Sequence, residues 1–353
     1  MDYPSYSVGT IKTPHGKIKT PALIPVVATS YGIWDHWIDG EMTAPWDLAQ
    51  ATLLSLYHIL PYRRKDDVFS KGIHEVLGTN KPVWIDSGGF QYMKKGIELE
   101  PLEVLEYQKK SRCDVAVTFD YPITPDLGEQ EKTTRLGRSI ESANTMLKNN
   151  SGMMLYGAIH GTNPGEITDY IGKLDDGFGG YGVGSLVPRK SQYAHLSNII
   201  HAVRCYTKKP IHAFGITGFP AMYALAYLGV DTFDSWTYIV AAAFKEFIHP
   251  DKLNRIKKLK EVGSLPECEC AICQEYGLKD FIGSNSESEM LLSMHNLNVF
   301  LKETENIREA MADNELESYI EGKSIGGNRN IGIAFKEAKK VKEECNIKHH
   351  KGM

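Results

Sequence analysis

The feature that most constrains the fold of this 353-residue chain is an alternation of short β-rich runs with segments of helical periodicity. The runs stop at Gly, Pro or a polar residue, and helical patterns occupy 101–112, 133–149, 192–204 and 220–228 between them. Eight such units predict a (β/α)8 TIM barrel of parallel strands, an α/β fold, rather than an open sheet. The predicted strands are 22–27, 53–60, 82–85, 115–119, 153–159, 180–184, 211–214 and 231–233.

Ionisable side chains follow four of these predicted strands. Asp86, Asp120, His160 and Asp234 each come directly after a run. In a barrel of this kind, the residues at the carboxyl ends of the strands face the active site. An Asp after a strand also commonly caps the next helix, so capping is the alternative for any one of them. Four together favour a catalytic site at one rim.

The charge balance limits which partners the chain can bind. With 40 Lys and Arg against 44 Asp and Glu, the net charge of -4 argues against a protein that binds polyanions over its whole surface. Local basic segments at 63–65, 189–190 and 252–260 could contact phosphates, although solvated surface positions explain them equally well. Neither a signal peptide nor a membrane-spanning run is visible, so we expect a soluble cytoplasmic protein.

The texture of the sequence changes after residue 250. We expect a catalytic barrel over 1–250 and a zinc-binding subdomain over 251–321 packed on it. Over 322–353 we expect a linker followed by a basic helix. The glycines within 322–330 predict the linker, and the lysine-rich pattern of 331–344 predicts the helix.

A cysteine cluster in the second segment has the spacing of a metal site. Cys268, Cys270 and Cys273, together with His295 on the following helix, supply three thiolates and one imidazole. Zn²⁺ prefers this tetrahedral set in structural sites. With all four positions filled by protein, no open position remains for water, so we expect a structural zinc rather than a catalytic one. The alternative is a group of reduced cysteines without metal.

The hexapeptide that follows the third predicted strand carries a resemblance to a known family. Its sequence is Asp86-Ser87-Gly88-Gly89-Phe90-Gln91, in which the glycines allow the backbone to approach a ligand closely. The motif resembles that of the tRNA-guanine transglycosylases. The resemblance extends over most of the chain, through residues 13–16, 20–22, 57–58, 119–120, 182–186, 229–234 and the Cys268, Cys270, Cys273, His295 set.

The family resemblance implies base exchange in a polynucleotide. Such an enzyme cuts the bond between guanine and ribose C1′ and installs a 7-deazaguanine in its place. The matching positions make Asp234 the nucleophile and Asp86 the general acid/base. This is the logic of a retaining glycosidase, in which one carboxylate forms a covalent sugar ester and another moves the proton.

The resemblance also implies a pocket for the base. Asp120 matches the aspartate that accepts from N1–H and the 2-amino group of guanine. Phe90 matches a stacking position, and we expect Phe214 on the opposite face of the base, with core packing as the alternative for both. His160 replaces a Gln of the bacterial enzymes and can donate to a carbonyl oxygen. The other expected base contacts are Ser87, Gly184, Ser185 and Leu186.

Departures from the family bear on which polynucleotide is the substrate. Segments 120–126 and 235–239 look closer to the archaeosine branch, which appends RNA-binding domains for which 353 residues leave no room. Ser55-Leu56 stands where tRNA enzymes usually have Asn-Thr, and a less polar lining near the sugar would suit deoxyribose. The chain therefore resembles the 7-deazaguanine DNA transglycosylases of the DpdA type, which insert 7-cyano-7-deazaguanine into DNA.

This interpretation carries expectations about partners. A base inside a duplex cannot reach a barrel mouth, so DNA would have to be locally unpaired, and helix-opening partner proteins are expected. Similarity to the tRNA enzymes suggests a homodimer. The first alternative is an archaeosine- or queuosine-type tRNA-guanine transglycosylase acting on tRNA. The second is a catalytically silent nucleic-acid-binding partner subunit, against which the presence of both Asp86 and Asp234 argues.

Overall fold

The computed structural model describes residues 8–27, 33–40, 42–186, 191–216, 218–283 and 285–351, with the backbone alone for 33 and 345–351. The basic pair at 189–190 lies outside these ranges. The described residues form the strands β1 Gly9–Thr13, β2 Gly16–Thr20, β3 Ala22–Val27, β4 Thr52–Ser55, β5 Val83–Asp86, β6 Val115–Val117, β7 Met154–Ile159, β8 Gly180–Val183, β9 Ile211–Ala213, β10 Thr232–Ser235, β11 Phe247–Ile248 and β12 Arg255–Ile256.

Helices follow the strands throughout the described ranges. They are α1 Ile33–Ile38, α2 Pro45–Leu48, α3 Leu56–Ile59, α4 Lys65–Lys71, α5 Ile73–Leu77, α6 Gly89–Lys95, α7 Pro101–Ser111, α8 Glu129–Asn149, α9 Pro164–Ile171, α10 Tyr193–Tyr206, α11 Phe219–Tyr227, α12 Thr237–Ala243, α13 Ala271–Glu275, α14 Leu278–Phe281, α15 Ser286–Ala312, α16 Leu316–Gly326 and α17 Arg329–Lys351.

Strands β3 to β10 close into a parallel barrel, in which β10 pairs with both β9 and β3. Each predicted strand matches one barrel strand, so the (β/α)8 fold is confirmed. The prediction for 53–60 was wrong in its second half, because the strand ends at Ser55 and Leu56–Ile59 form a helical turn. Leu56 and Ile59 are fully buried. A short apolar run in the sequence does not distinguish a strand from a buried helix.

The hairpin of β1 and β2 packs on the inner layer of the barrel. Ile11 and Ile18 are buried against inward-facing side chains that include Trp84 and Tyr156. Because β2 leads directly into β3, the hairpin lies at the amino ends of the strands. It therefore closes the end of the barrel opposite the rim where Asp86 and the other carboxylates lie.

A buried carboxylate ties this hairpin to the barrel wall. Asp114 Oδ1 accepts from both the backbone N–H and the Nδ1 of His15 at 3.0 Å. Its Oδ2 contacts His74 Nε2 at 2.8 Å and the N–H of Val83 at 2.9 Å. Burial alone would raise the pKa of Asp114, but these hydrogen bonds hold it at about 2. The carboxylate therefore stays charged and keeps the hairpin in place.

The long helix α15 occupies the position of the eighth barrel helix. It packs against α11, α12 and β3, and its apolar residues belong to the same core as those of the barrel. Helix α17 lies on α10 and α11, where Phe335 meets Tyr227 edge to face at 5.0 Å between ring centres. The boundaries expected at 250 and 321 stay a prediction.

The linker predicted over 322–330 was wrong. Residues as far as Gly326 belong to α16, and α17 begins at Arg329. Leu316 and Ile320 on α16 are fully buried, and this burial outweighs the roughly 1 kcal/mol that each exposed helical glycine costs. Within the described part of the chain, no helix combines the length and the apolar character needed to cross a membrane.

We predict that Ile18→Ala destabilises the protein by about 2 to 5 kcal/mol, because it empties a fully buried position between the hairpin and the barrel. Urea denaturation followed by tryptophan fluorescence measures this loss. Lys17→Ala, one residue earlier and exposed, is the matched control and should change the free energy of unfolding by less than about 0.5 kcal/mol. Equal effects of both changes would contradict the role of the hairpin.

Candidate active site and metal cluster

Asp234 lies on β10 at the carboxyl rim of the barrel, and its two oxygens have different surroundings. Oδ1 accepts from the N–H of Gly215 at 2.7 Å and contacts His212 Nε2 at 3.2 Å. Oδ2 has no hydrogen-bond partner among the described residues. The side chain is thus anchored through one oxygen, and the other is available to attack an electrophile.

Asp86 ends β5 at the same rim. Burial, then the negative charges of Asp120 and Asp234, raise the pKa of Asp86 to about 7, against a partly opposing hydrogen bond from the Gly88 N–H. That bond reaches Asp86 Oδ2 at 3.1 Å. The influence of Asp120 and Asp234 on Asp86 means that the three carboxyl groups share one site. Near neutral pH, Asp86 can both give and take a proton.

Asp120 is held from two sides by buried side chains. Its Oδ2 contacts His160 Nε2 at 2.9 Å, and its Oδ1 accepts from the Ser87 hydroxyl at 3.3 Å. A Cβ on Gly89 would lie 2.3 Å from Asp120 Oδ1, so only glycine leaves room for the carboxylate there. A carboxylate has about four acceptor positions, and so Asp120 can still accept from a ligand.

His160 supports Asp120 instead of facing the opening. It is fully buried, and its Nδ1 contacts the Ser185 hydroxyl at 2.9 Å while its Nε2 contacts Asp120. Donation from Nε2–H to the carboxylate leaves Nδ1 as the acceptor from Ser185. In this arrangement neither ring nitrogen is available for the direct contact with a base carbonyl that we expected.

Residues 184–186, which follow β8, lie against His160. Ser185 has a φ of 59°, and its hydroxyl also accepts from the N–H of Ile123 at 3.0 Å. A Cβ on Gly184 would lie 2.4 Å from His160 Cε1, which explains the need for glycine. Leu186 is buried. Residues 184–186 therefore lie beside His160, the neighbour of Asp120, and their contact with a base stays a prediction.

The two aromatic candidates differ in their surroundings. Phe90 is half-buried at the start of α6, and the Lys94 ammonium lies 4.4 Å from its ring centre. Phe214 is also half-buried, packs over Gly182 and meets His212 at 4.5 Å between ring centres. It belongs to the cluster inside the barrel, in keeping with the core-packing alternative. The stacking roles of both residues stay predictions.

Sequence reasoning missed the role of His212 at this rim. His212 is fully buried and bridges Asp234 to the Thr232 hydroxyl, which lies 2.9 Å from its Nδ1. An ionisable residue inside the otherwise apolar predicted strand 211–214 was a signal that could have found it. Ser55 pairs in register with Asp86, and its buried hydroxyl has no hydrogen-bond partner among the described residues.

Helix capping does not account for the four rim residues. The helices that follow them, α6, α8, α9 and α12, have Gly88, Gly128, Asn163 and Trp236 at their N-cap positions. The rim carboxylates are instead joined to donors that orient them. Their arrangement can supply a nucleophile, a proton carrier and an acceptor for a polar ligand.

The cysteine cluster comes together with His295 on α15. The Sγ atoms of Cys268, Cys270 and Cys273 lie 3.7, 3.6 and 3.1 Å from His295 Nδ1. A tetrahedral zinc with ordinary Zn–S and Zn–N bonds places such atoms about 3.6 Å apart. The four donors can therefore hold a metal ion.

Neighbouring groups fix the histidine of this cluster in the orientation that a metal needs. His295 Nε2 lies 2.9 Å from the Ile248 carbonyl oxygen, so it donates there and leaves Nδ1 as the ligand atom. Phe247 stacks on the imidazole at 3.7 Å between ring centres, and Asn296 Oδ1 accepts from the Ile248 N–H at 2.9 Å. The cluster thus joins β11 to α15.

The basic segments are partly neutralised by carboxylates. Arg63 pairs with Asp35 at 3.0 Å, and within 252–260, Lys258 pairs with Glu261 at 3.3 Å. All four of these side chains have solvent access, and such pairs leave little net field. Phosphate contacts by these segments stay a prediction.

Comparison with known proteins identifies the family. The family model described as queuine tRNA-ribosyltransferase matches residues 5–324. The chain belongs to the queuine tRNA-ribosyltransferase family. This finding agrees with the transglycosylase resemblance of the sequence motifs.

Relatives within the queuine tRNA-ribosyltransferase family include archaeal proteins named tRNA-guanine(15) transglycosylase. The protein of Methanocaldococcus jannaschii is 30% identical over 332 residues, which cover 89% of this chain and 49% of the relative. That of Archaeoglobus fulgidus is 30% identical over 341 residues, covering 93% and 68%. That of Methanosarcina mazei is 30% identical over 331 residues, covering 89% and 64%. The chain thus spans about half to two thirds of the length of these curated relatives.

We predict that Cys273→Ser abolishes metal binding and lowers the unfolding temperature, because one of four donors to a shared ion is lost. Elemental analysis of the purified protein should find about one transition-metal ion per wild-type chain and almost none in the variant. Cys205→Ser, an exposed cysteine outside the cluster, should keep the metal. Equal metal content in wild type and Cys273→Ser would contradict this assignment.

Proposed function

We propose that this protein exchanges guanine for a 7-deazaguanine base in tRNA through a covalent intermediate on Asp234. The observation that carries the proposal is the pairing of two carboxyl groups in different states. Asp234 presents a free oxygen, whereas the pKa of Asp86 is raised to about 7, so that Asp86 can carry a proton at neutral pH. Two carboxyl groups with different environments are what double displacement at an anomeric carbon requires.

The first half of the reaction breaks the glycosidic bond. Asp234 Oδ2 attacks C1′ of the target nucleotide, and the electron pair of the C1′–N9 bond leaves with guanine. Asp86 in its protonated form gives its proton to the departing base. The products are an Asp234 ester of the sugar, neutral guanine and an ionised Asp86.

The second half reverses these roles with a different base. The incoming 7-deazaguanine loses its N9 proton to Asp86, and N9 attacks C1′. The C1′–O bond breaks, and its electron pair returns to Asp234. His212 and the Gly215 N–H remain hydrogen-bonded to Oδ1 in both halves of the reaction. The carboxylate therefore keeps its orientation while the bond between Oδ2 and C1′ forms and breaks.

Guanine recognition falls to Asp120. The Ser87 hydroxyl and His160 fix the plane of its carboxylate, and its remaining acceptor positions suit N1–H and the 2-amino group of a guanine-like base. Adenine offers an acceptor at N1 and no 2-amino group, so it is rejected. Because the 7-deazaguanines keep both donors, the same carboxylate serves both half-reactions.

The names of the relatives favour tRNA over DNA, although we expected DNA from the sequence. The archaeal relatives are named tRNA-guanine(15) transglycosylase. Ser55 lies beside Asp86, but its hydroxyl is fully buried and does not decide between the two sugars. Insertion of 7-cyano-7-deazaguanine into DNA is the competing function. Only that function would require partner proteins that open a duplex.

We further propose that the ion held by Cys268, Cys270, Cys273 and His295 is a structural Zn²⁺. The donor set leaves no open position, and the His295 contact with Ile248 ties the ion to the segment next to the barrel. The ion would stabilise the fold of residues near the rim. The reaction itself is assigned to the carboxyl groups.

The substrate is tested by incubating the purified protein with radiolabelled guanine and either unmodified tRNA or plasmid DNA. We expect label in tRNA and none in DNA. Asp234→Asn should reduce incorporation by at least about 1000-fold, because an amide oxygen is a poor nucleophile. The matched control is Lys148→Gln, on the exposed face of α8, which should retain wild-type incorporation.

Each outcome of this experiment is informative. Label in DNA alone would replace tRNA by DNA as the substrate. Label in neither polynucleotide, with correctly folded protein, would support the silent partner subunit. Full incorporation by Asp234→Asn would refute the covalent role of Asp234.

We predict that guanine release in a single turnover slows as the pH rises above about 7, because the ionised form of Asp86 cannot donate a proton. Rapid quenching at a series of pH values measures the rate. Asp86→Asn should remove this pH dependence together with most of the activity. A rate that is independent of pH from 6 to 9 would contradict the assignment of Asp86 as the acid.

The raised pKa of Asp86 also affects stability, and this effect can be measured without substrate. In the unfolded chain an Asp ionises near pH 3.9. Between that value and about 7, the unfolded chain loses a proton that the folded protein keeps, so this group's contribution to stability falls as the pH rises. The unfolding temperature of Asp86→Asn relative to wild type should therefore rise across this window and level off above it.

A further inference from the structure

A groove outside the barrel mouth has the chemistry of an anion site. It has a volume of about 370 Å³ and lies between the beginnings of α11, α12 and α17 and the β11–β12 hairpin. Arg255 and Arg329 line it, together with the amides of Asn254 and Asn328. Among the described residues that line the groove, none carries a carboxylate.

The two arginines differ in how they are held. Arg255 Nη1 lies 2.8 Å from Glu246 Oε2, which fixes the side chain and leaves its other N–H groups to bind a ligand. Arg329 forms no ion pair with any residue that the structure describes. The charge of Arg255 is therefore offset by Glu246, whereas that of Arg329 is not offset by any carboxylate among the described residues.

The groove is also close to the reacting groups. Gly215 donates to Asp234, and Gly218, three residues further along, lines the groove. Three residues of chain span at most about 11 Å. The edge of the groove at Gly218 therefore lies within reach of a nucleotide next to the one at Asp234.

The opposite wall of the groove is apolar and fixed. Phe219 and Phe300 stack at 4.2 Å between ring centres with their planes 9° apart. Ile248, which accepts from His295, lies on the same wall. The hairpin that carries Arg255 is thus attached to the metal cluster and to α15, so its guanidinium is positioned before any ligand arrives.

We propose that this groove binds a backbone phosphate of tRNA next to the exchanged nucleotide, with Arg329 and Arg255 as its ligands. The guanidinium groups supply charge-assisted hydrogen bonds to phosphate oxygens, and the asparagine amides offer further donors. The inference rests on the proposed function, since it takes tRNA as the substrate.

The test is the binding of fluorescently labelled, unmodified tRNA to the full chain over a range of KCl concentrations. Arg329→Gln should weaken binding several-fold at low salt and reduce the slope of log affinity against log salt by about 0.7 to 0.9, the value for one lost phosphate contact. Arg329→Lys should keep most of the slope, since it retains the charge. Calorimetry should show unchanged affinity of Arg329→Gln for free guanine.

The matched control is Lys340→Gln, which removes one positive charge from the same helix about 16 Å further along. Lys340 is exposed, and its only ion-pair partner within the described residues is Glu344 at 3.9 Å. We expect its salt slope to equal that of the wild type. A slope for Arg329→Gln equal to that of Lys340→Gln would overturn the phosphate site.

The outcomes separate this inference from the proposed function. Wild-type exchange of guanine in tRNA with no change in the Arg329→Gln salt slope would leave the function standing and remove the phosphate site. If the Arg329→Gln slope is reduced but the wild-type protein binds tRNA without exchanging guanine, the phosphate site stands and the proposed function is refuted.

Discussion

The structure depends on keeping three carboxyl groups together in one partly enclosed barrel mouth. Asp86, Asp120 and Asp234 repel one another when all are ionised, and the repulsion is strong where water is scarce. Each of the three carboxyl groups has different hydrogen-bonding neighbours, which reduces this repulsion. Asp120 and Asp234 each receive a buried histidine, whereas Asp86 receives backbone N–H groups and takes up a proton instead.

Two of the carboxylates, Asp120 and Asp234, are held by the same arrangement of a histidine and a hydroxyl. His160 supports Asp120 and is itself bonded to Ser185, while His212 supports Asp234 and is itself bonded to Thr232. In each case the ionised carboxylate can only accept, so the imidazole carries its proton on Nε2 and its Nδ1 accepts from the hydroxyl. The glycines beside these groups are required because a Cβ would occupy the space of the histidine or the carboxylate.

Much of this could be predicted from the sequence, because the signals were local or came from specific motifs. The eight strands, the rim position of Asp86 and Asp234 and the four metal donors all follow from periodicity and spacing. What a side chain contacts could not be predicted in the same way. His160 follows its strand like the carboxylates do, yet only the fold reveals that it faces Asp120.

The remaining errors have a common physical origin in long-range packing. Glycines within 322–330 indicated a linker, but buried Leu316 and Ile320 stabilise a helix that continues to Gly326. The basic segment at 63–65 contacts carboxylates from elsewhere in the chain, such as Asp35, and those contacts are not visible in the sequence. Arg329 attracted no attention in the sequence, because the hairpin that faces it lies more than 70 residues earlier in the chain.

The hairpin of β1 and β2 has a kinetic consequence. Ile11 and Ile18 are packed into the inner cluster at the amino ends of the strands, so the described residues leave the carboxyl rim as the side from which a ligand reaches the three carboxyl groups. In the exchange proposed above, the released base would therefore leave by the same side from which its replacement arrives. This shared route implies a ping-pong order, in which the first base departs before the second one binds.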